Sequence, residues 1–136
     1  MQIQNQSFIH LLRQAIENEW NAMDFYKRLG GDTSNRLFRD YIKHAEDDEW
    51  KHYQMFQHLH FQLTGQYHEF EPKQVGYRSF ENGVIQAQID EFDAAEKYRH
   101  MLFMIPTPAA YQVLYVAMTD EMEHATRFGT IYGRLK

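Results

Sequence analysis

Four segments of the chain repeat one pattern of apolar positions, spaced as on one face of an α-helix. In each segment an aliphatic residue stands seven positions before the centre, an alanine four before it, and an aromatic residue seven after it. These positions are Leu12, Ile42, Val84 and Leu114, then Ala15, Ala45, Ala87 and Ala117, then Tyr26, Phe56, Tyr98 and Phe128. Because the offsets stay within one stripe of a helix, they predict four helices that each face a core.

Turn and capping residues set the expected ends of these helices. No segment alternates apolar and polar residues as a strand does, so the sequence predicts an all-α fold. The predicted helices run from Ser7 to Leu29, from a cap among Asp32, Thr33 and Ser34 to Leu63, from Phe80 to Met104, and from Thr107 through Pro108 to Tyr132, before Gly133. The non-periodic residues 64–79 are enough to cross the full length of a bundle. We therefore expect one four-helix domain over residues 1–136, built from two helical hairpins at about 7–63 and 80–134.

A glutamate occupies the centre of every segment. The four are Glu19, Glu49, Glu91 and Glu121, and the second and fourth are followed three residues later by His52 and His124. The third glutamate lies 72 residues after the first, and the fourth lies 72 after the second, so the chain reads as a tandem repeat of two hairpins about a pseudo-two-fold axis. A carboxylate in an apolar stripe is costly unless something neutralises it. Four of them predict a shared metal centre.

The histidines give this prediction its weight. A single Glu-x-x-His pair is a weak signal, because most such pairs are solvated on a helix surface. Here both pairs occupy the same point of the same pattern, and the other two helices carry Ala22 and Ala94 at the matching positions, which leaves space for ions. Two divalent cations neutralise four carboxylates. Carboxylate-rich ligand sets with two histidines favour iron or manganese over structural zinc.

Composition narrows the classes of function. The 136 residues carry a formal net charge of −5 without a basic stripe, which argues against nucleic-acid binding. No apolar run approaches the roughly 18 residues of a membrane span, and Met1 to Leu12 lacks the basic region of a signal peptide. The absence of cysteine excludes disulfides, iron–sulfur clusters and thiolate zinc sites. We expect a cytoplasmic protein whose metal centre takes electrons from an external donor.

With these residues in place, the chain resembles the ferritin-like superfamily of di-iron carboxylate proteins, and most of all its rubrerythrin-type branch. The resemblance covers about Phe8 to Tyr132 and implies a four-helix bundle with one long crossover. It also implies two iron ions that react with dioxygen or hydrogen peroxide, as in ferroxidases and peroxidases, and a homodimer. The positions that match the family's metal ligands are Glu19, Glu49, His52, Glu91, Glu121 and His124.

Two departures separate this chain from rubrerythrins. Rubrerythrins carry a four-cysteine, rubredoxin-like iron site after the bundle, and this sequence has no cysteine. They also carry a second glutamate three residues after the third-helix ligand, where this chain has Ala94. That extra carboxylate is tied to the movement of iron during peroxide reduction. Its replacement argues against peroxidase activity of the rubrerythrin kind and predicts a more symmetric site.

Residues around the predicted ligands have two interpretations each. By the same resemblance, Asp48 is expected to accept a hydrogen bond from His124, and Asp120 from His52; the alternative is a solvated helix carboxylate. Tyr26 and Tyr98 are expected to donate to ligand carboxylates across the bundle, or else only to fill the core. Surface or crossover roles are expected for the remaining histidines, His10, His44, His58, His60, His68 and His100.

Three classes of function stay open at this point. The first is an oxidoreductase in which reduced metal reacts with dioxygen or hydrogen peroxide. The second is a metal-binding or storage module without turnover, and the third is a bundle that only binds a partner. Oxygenation of an organic substrate is a further alternative, but the sequence shows no signature of a substrate pocket.

Overall fold

The computed structural model describes residues 2–136, with side chains from residue 6 onwards, and contains four long helices. They are α1 (Gln2–Gly30), α2 (Arg36–Thr64), α3 (Phe80–Leu102) and α4 (Pro108–Leu135). Helix α1 packs on α2, α3 packs on α4, and the two hairpins meet mainly through α2 and α4. No strand occurs within residues 2–136, so the prediction of an all-α four-helix bundle of two hairpins joined by a long crossover is confirmed. None of these helices is sufficiently long and apolar to cross a membrane.

The first two helix starts differ from the prediction. Helix α1 begins at Gln2, so Ser7 lies inside it and is not its cap. Helix α2 is capped by Asn35, whose side-chain oxygen accepts a hydrogen bond from the Phe38 amide at 3.1 Å. Thr33 instead accepts a bond from the Asn35 amide at 3.2 Å. Asp32, Thr33 and Ser34, which the sequence offered as caps, lie instead in the connection between α1 and α2. An N-cap must lie directly before the first helical residue, and that position belongs to Asn35.

The later ends follow the sequence more closely. Helix α3 stops at Leu102, two residues before the predicted end, because the next two amides bond to carbonyls three residues back in a turn. Pro108 is the first residue of α4, as predicted, and Thr107 occupies the predicted cap position, although its side chain makes no cap hydrogen bond. Gly133 does not end α4, which continues to Leu135. A glycine ends a helix when it adopts the left-handed conformation. Among the described residues only Gly65, after α2, has a positive φ.

The predicted apolar stripes form the core. All twelve residues at the −7, −4 and +7 positions of the pattern are at most 4% exposed. They divide into two apolar clusters, one around Leu12, Phe56 and Leu114 and one around Ile42, Val84 and Phe128. Along α1 and α2 the central glutamates fall between these clusters. The bundle therefore has a buried polar layer with an apolar core on either side.

The crossover, residues 65–79, is fastened to the first hairpin. The Gln57 side chain donates to the His68 carbonyl and accepts from the His68 amide, both at 2.8 Å. The His68 ring bonds to Glu17 at 2.8 Å, and the buried His60 ring donates to the Gln66 carbonyl at 2.6 Å. Further along, the Lys73 amide donates to the Asn21 side chain at 3.0 Å. Two histidines outside the repeated pattern therefore hold the crossover, one of the roles expected for them.

Candidate metal centre

Six side chains meet in the polar layer at the middle of the bundle. Helix α1 contributes one glutamate, α3 contributes one, and α2 and α4 each contribute a glutamate with a histidine one turn later. They are Glu19, Glu49, His52, Glu91, Glu121 and His124, and none is more than 2% exposed. The structure thus brings together every residue that the sequence nominated as a metal ligand.

Two of the glutamates lie midway between the two histidines. The Glu49 Oε1 atom is 3.3 Å from His52 Nδ1 and 3.4 Å from His124 Nδ1. The Glu121 Oε1 atom is 3.4 Å from His52 Nδ1 and 3.3 Å from His124 Nδ1. Each carboxylate therefore stands equally close to the inner nitrogen of both imidazoles. Both carboxylates are thus within reach of the space beside either histidine.

The other two glutamates each belong to one histidine. The Glu19 Oε1 atom lies 3.5 Å from His52 Nδ1, and Glu91 Oε2 lies 2.7 Å from His124 Nδ1. The ligand atoms form two groups in which all lie within 4.8 Å of one another: Glu19, Glu49, His52 and Glu121, and Glu49, Glu91, Glu121 and His124. Each group has the size of a site for one ion, and the two groups have Glu49 and Glu121 in common.

The outer nitrogens of the histidines point to aspartates on the opposite hairpin. His52 Nε2 lies 2.7 Å from Asp120 Oδ2, and His124 Nε2 lies 2.8 Å from Asp48 Oδ2. Both expected hydrogen bonds are present. An aspartate that accepts the Nε2 proton favours the tautomer whose Nδ1 lone pair faces the glutamates. His52 Nδ1 has no hydrogen-bond partner, whereas His124 Nδ1 lies 2.7 Å from Glu91 Oε2. In this tautomer the imidazole can act as a metal ligand.

The two tyrosines make the same exchange between hairpins. Tyr26 on α1 donates to Glu91 Oε1 on α3 at 2.6 Å, and Tyr98 on α3 donates to Glu19 on α1. The expected donation across the bundle is therefore present in both cases. Tyr98 lies 72 residues after Tyr26, and Glu91 lies 72 residues after Glu19, so the repeat of the sequence relates the two bonds to each other. The pseudo-two-fold symmetry of the sequence is therefore also the symmetry of the site.

His44 is a contact that the sequence did not reveal. Its Nε2 lies 3.1 Å from Asp48 Oδ2 and 3.4 Å from Glu123 Oε1, and its ring stands edge-on to that of His124 at 5.9 Å. It completes a chain of polar contacts from the buried His124 to the surface. The equivalent position in the second repeat is Val116, so only one half of the site has this connection. The available signal was the i,i+4 spacing from His44 to Asp48.

Several polar atoms of the site are buried without a hydrogen-bond partner. They are Glu19 Oε2, Glu49 Oε1, Glu121 Oε1 and His52 Nδ1. A buried acceptor without a partner costs about 1–3 kcal/mol, and more when it is charged. His52 Nδ1 faces Glu49 Oε1 and Glu121 Oε1 within the layer, and all four atoms are of the kinds that bind iron or manganese. The donor set therefore fits divalent cations, which would satisfy these atoms together.

The electrostatics of the layer also call for positive charge. Burial raises the pKa of the Glu19 carboxyl to about 7, with a further contribution from the neighbouring Glu49. Burial and the surrounding carboxylates hold the pKa values of Glu91 and Glu121 well above the ordinary range. Burial alone would lower the pKa of His52, but Glu19 and Asp120 raise it. Without metal, the layer must therefore keep protons in order to limit its negative charge.

A cavity leads from this layer to the surface between α1 and α3. Its volume is about 320 Å³, and all four central glutamates line it. Ala22 and Ala94 line it as well, so the small side chains that were expected to leave space do so. Because α1 and α3 make few direct contacts, this side of the bundle is the open one.

Comparisons with known proteins agree with this fold. One similar structure is the hypothetical protein Pfu-1136390-001 from Pyrococcus furiosus, with a TM-score of 0.83 and 22% identity, over 93% of this chain and 88% of that chain. Another is a two-domain protein from Anabaena variabilis with DJ-1/ThiJ/PfpI-like and ferritin-like domains, with a TM-score of 0.74 and 12% identity. That match covers 96% of this chain and 37% of the other. No protein-family model and no curated protein matches the sequence. At these identities the likeness shows the fold alone, a four-helix bundle consistent with the ferritin-like fold.

Metal binding should release protons. Because the folded-state pKa of Glu19 is raised to about 7, its proton is present below that pH and must leave when a cation binds. The apparent affinity for Mn²⁺ or Co²⁺ should therefore rise between roughly pH 6 and pH 8, with at least one proton released per chain near neutrality. Titration in weakly buffered solution with a pH indicator measures both quantities. Binding that releases no protons and is independent of pH would contradict the assignment.

Removing the charge of either aspartate behind the histidines should weaken metal binding. Asp48→Asn and Asp120→Asn should each lower the affinity about 10–100-fold, because the amide no longer fixes the imidazole tautomer. The matched control is Asp47→Asn, also on α2, where the carboxylate is exposed and forms an ion pair with Lys43 at 3.0 Å. Competition with a chelating dye gives the three affinities. An equal loss in the control would show that general charge, and not the contact to histidine, is responsible.

Proposed function

We propose that this chain is a di-iron carboxylate protein of the rubrerythrin type, in which the reduced metal centre reacts with dioxygen or hydrogen peroxide. The position of Glu49 and Glu121, equally distant from the inner nitrogens of both histidines, carries the proposal. Shared carboxylates are the ligands that hold two ions side by side. Manganese fits the same donor atoms and is the alternative metal.

The ligand set assigns a role to each residue. Glu19 and His52 would hold one ion, Glu91 and His124 the other, and Glu49 and Glu121 both. Bound iron supplies one-electron redox chemistry and open coordination positions for an oxidant. The four carboxylates balance the charge of two divalent cations. Each imidazole is oriented from behind by an aspartate of the opposite hairpin.

The tyrosines fix the carboxylates that belong to a single histidine. Tyr26 and Tyr98 are almost fully buried, and burial raises the pKa of both hydroxyls well above 10. They therefore remain protonated and continue to donate to Glu91 and Glu19. The shared carboxylates receive no such donor on their Oε1 atoms. These atoms are free to bind metal from within the layer.

Access to the site favours turnover over a sealed structural site. The cavity between α1 and α3 reaches all four glutamates, so an oxidant can diffuse to the layer. A structural site is closed around its ion, whereas a reactive one keeps a path and an open position. We propose that electrons come from an external donor, since the 136 residues contain no cysteine to hold an iron–sulfur or rubredoxin-like centre; another bound cofactor is the alternative source. We also propose that the protein acts as a homodimer.

The proposal predicts an absorption change on oxidation. Protein loaded with Fe²⁺ without oxygen should gain near-ultraviolet absorption when dioxygen or hydrogen peroxide is added, as ferrous iron becomes ferric. Glu49→Gln and Glu121→Gln should lose this change, because neither variant can share a carboxylate between ions. Glu96→Gln, at an exposed position on α3, is the matched control and should keep it. A loaded wild-type protein that ignores both oxidants would refute the redox function.

A further inference from the structure

The cavity between α1 and α3 is larger than an oxidant requires. A water molecule takes about 30 Å³ of liquid volume, and dioxygen or hydrogen peroxide is of similar size. Two or three such molecules take roughly 60–90 Å³ and the ions add little, so more than about 200 Å³ of the 320 Å³ remains. An apolar cavity of about 150 Å³ is sufficient to bind benzene. The remaining space therefore has room for one six-membered ring.

The walls of the cavity suit an apolar molecule. Leu11, Phe25 and Met101 line it together with the methyl groups of Ala22 and Ala94. Polar and charged residues line it towards the surface, namely Gln14, Asn18, Asn21, Asp90, Asp93 and Lys97, and the four central glutamates line it on the inside. The apolar walls lie between these two polar ends, and small-molecule sites combine apolar walls with polar groups that orient the ligand. Small oxidants such as dioxygen or hydrogen peroxide do not require apolar walls of this extent for binding.

The crossover contributes to the same cavity. Val75 lines it from outside the two helices. The chain on either side of Val75 is held to α1, by the Lys73 amide at Asn21 and by the Tyr77 ring, which packs edge-on against Phe25 at 5.3 Å between ring centres. The crossover thus closes part of the outer side.

We propose that this pocket binds an uncharged organic molecule about the size of one six-membered ring, with a hydroxyl group, beside the metal centre. A charged ring would lose its hydration against the alanine and phenylalanine walls, which favours a neutral one. The hydroxyl group can meet the polar layer while the ring contacts Ala22 and Ala94. The identification of this molecule as a substrate rests on the proposed redox function. The binding itself does not.

Phenol and cyclohexanol are suitable probes, since both are neutral at pH 7 and have this size. Binding is measured by calorimetry on the protein as purified and after loading with zinc, which is redox-inert. Intermolecular NOEs from the probe to the methyl groups of Ala22 and Ala94 locate it. We expect millimolar or tighter binding and NOEs to both methyl groups.

Filling the pocket should abolish binding. Ala94→Phe should weaken it by at least about tenfold, equivalent to about 1.4 kcal/mol. Ala109→Phe makes the same change at an exposed position on α4 outside the pocket and should bind like the wild type. Ala22→Leu, a smaller change from the other wall, replaces Ala94→Phe if circular dichroism shows that the latter does not fold.

Two results would overturn the proposal: no binding of either probe by the wild type at millimolar concentration, or equal binding by the pocket-filling and control variants. Failure of the redox function is seen separately, as an iron-loaded protein that ignores both oxidants. Because zinc is redox-inert, binding of the probes to the zinc-loaded protein is measured independently of whether the iron-loaded protein reacts with an oxidant.

Discussion

The cost of burying four carboxylates in one layer is the constraint on which this structure depends. Each glutamate of the layer is at most 2% exposed, and the hydrogen bonds from tyrosine and histidine leave several of its oxygen atoms without a partner. No apolar packing can offset several uncompensated charges at the centre of a bundle. The layer is therefore stable only with protons or cations in it. Its symmetric arrangement, with two shared and two unshared carboxylates, fits two cations.

The same layer joins the two hairpins. Four hydrogen bonds around the ligands cross from one repeat to the other: two from tyrosine to glutamate between α1 and α3, and two between histidine and aspartate of α2 and α4. Other contacts, such as that of His124 with Glu91, stay within one hairpin. Each hairpin therefore supplies hydrogen-bond partners to the ligands of the other. The apolar clusters on either side of the layer hold the two hairpins together.

The sequence predicted the periodic parts of this molecule well, and the parts set by local or three-dimensional detail less well. Residues at −7, −4 and +7 of each glutamate determine the core, because helix periodicity alone places them on one face. Asn35 caps α2, whereas the sequence suggested Asp32, Thr33 or Ser34, because capping depends on the exact path of the backbone. Gly133 continues a helix because nothing forces it into the left-handed conformation.

Within the site, spacing was sufficient to nominate six residues, but not to assign their parts. Glu49 and Glu121 lie close to both histidines, whereas Glu19 and Glu91 each lie close to one. This difference depends on distances between helices, which the spacing of residues along the chain does not give. The contact of His44 with Asp48, absent from the second repeat at Val116, breaks a symmetry that the pattern had suggested. The cavity depends on how far apart α1 and α3 pack, so Ala22 and Ala94 predicted space there but not its volume.

Crystals of metal-loaded protein, measured on both sides of an absorption edge and paired with elemental analysis of the same sample, would show whether two cations occupy the polar layer. We expect two anomalous peaks per chain inside this layer, one near Glu19 and His52 and one near Glu91 and His124, with Glu49 and Glu121 in contact with both. One ion per chain, or ions bound only outside this layer, would contradict this expectation.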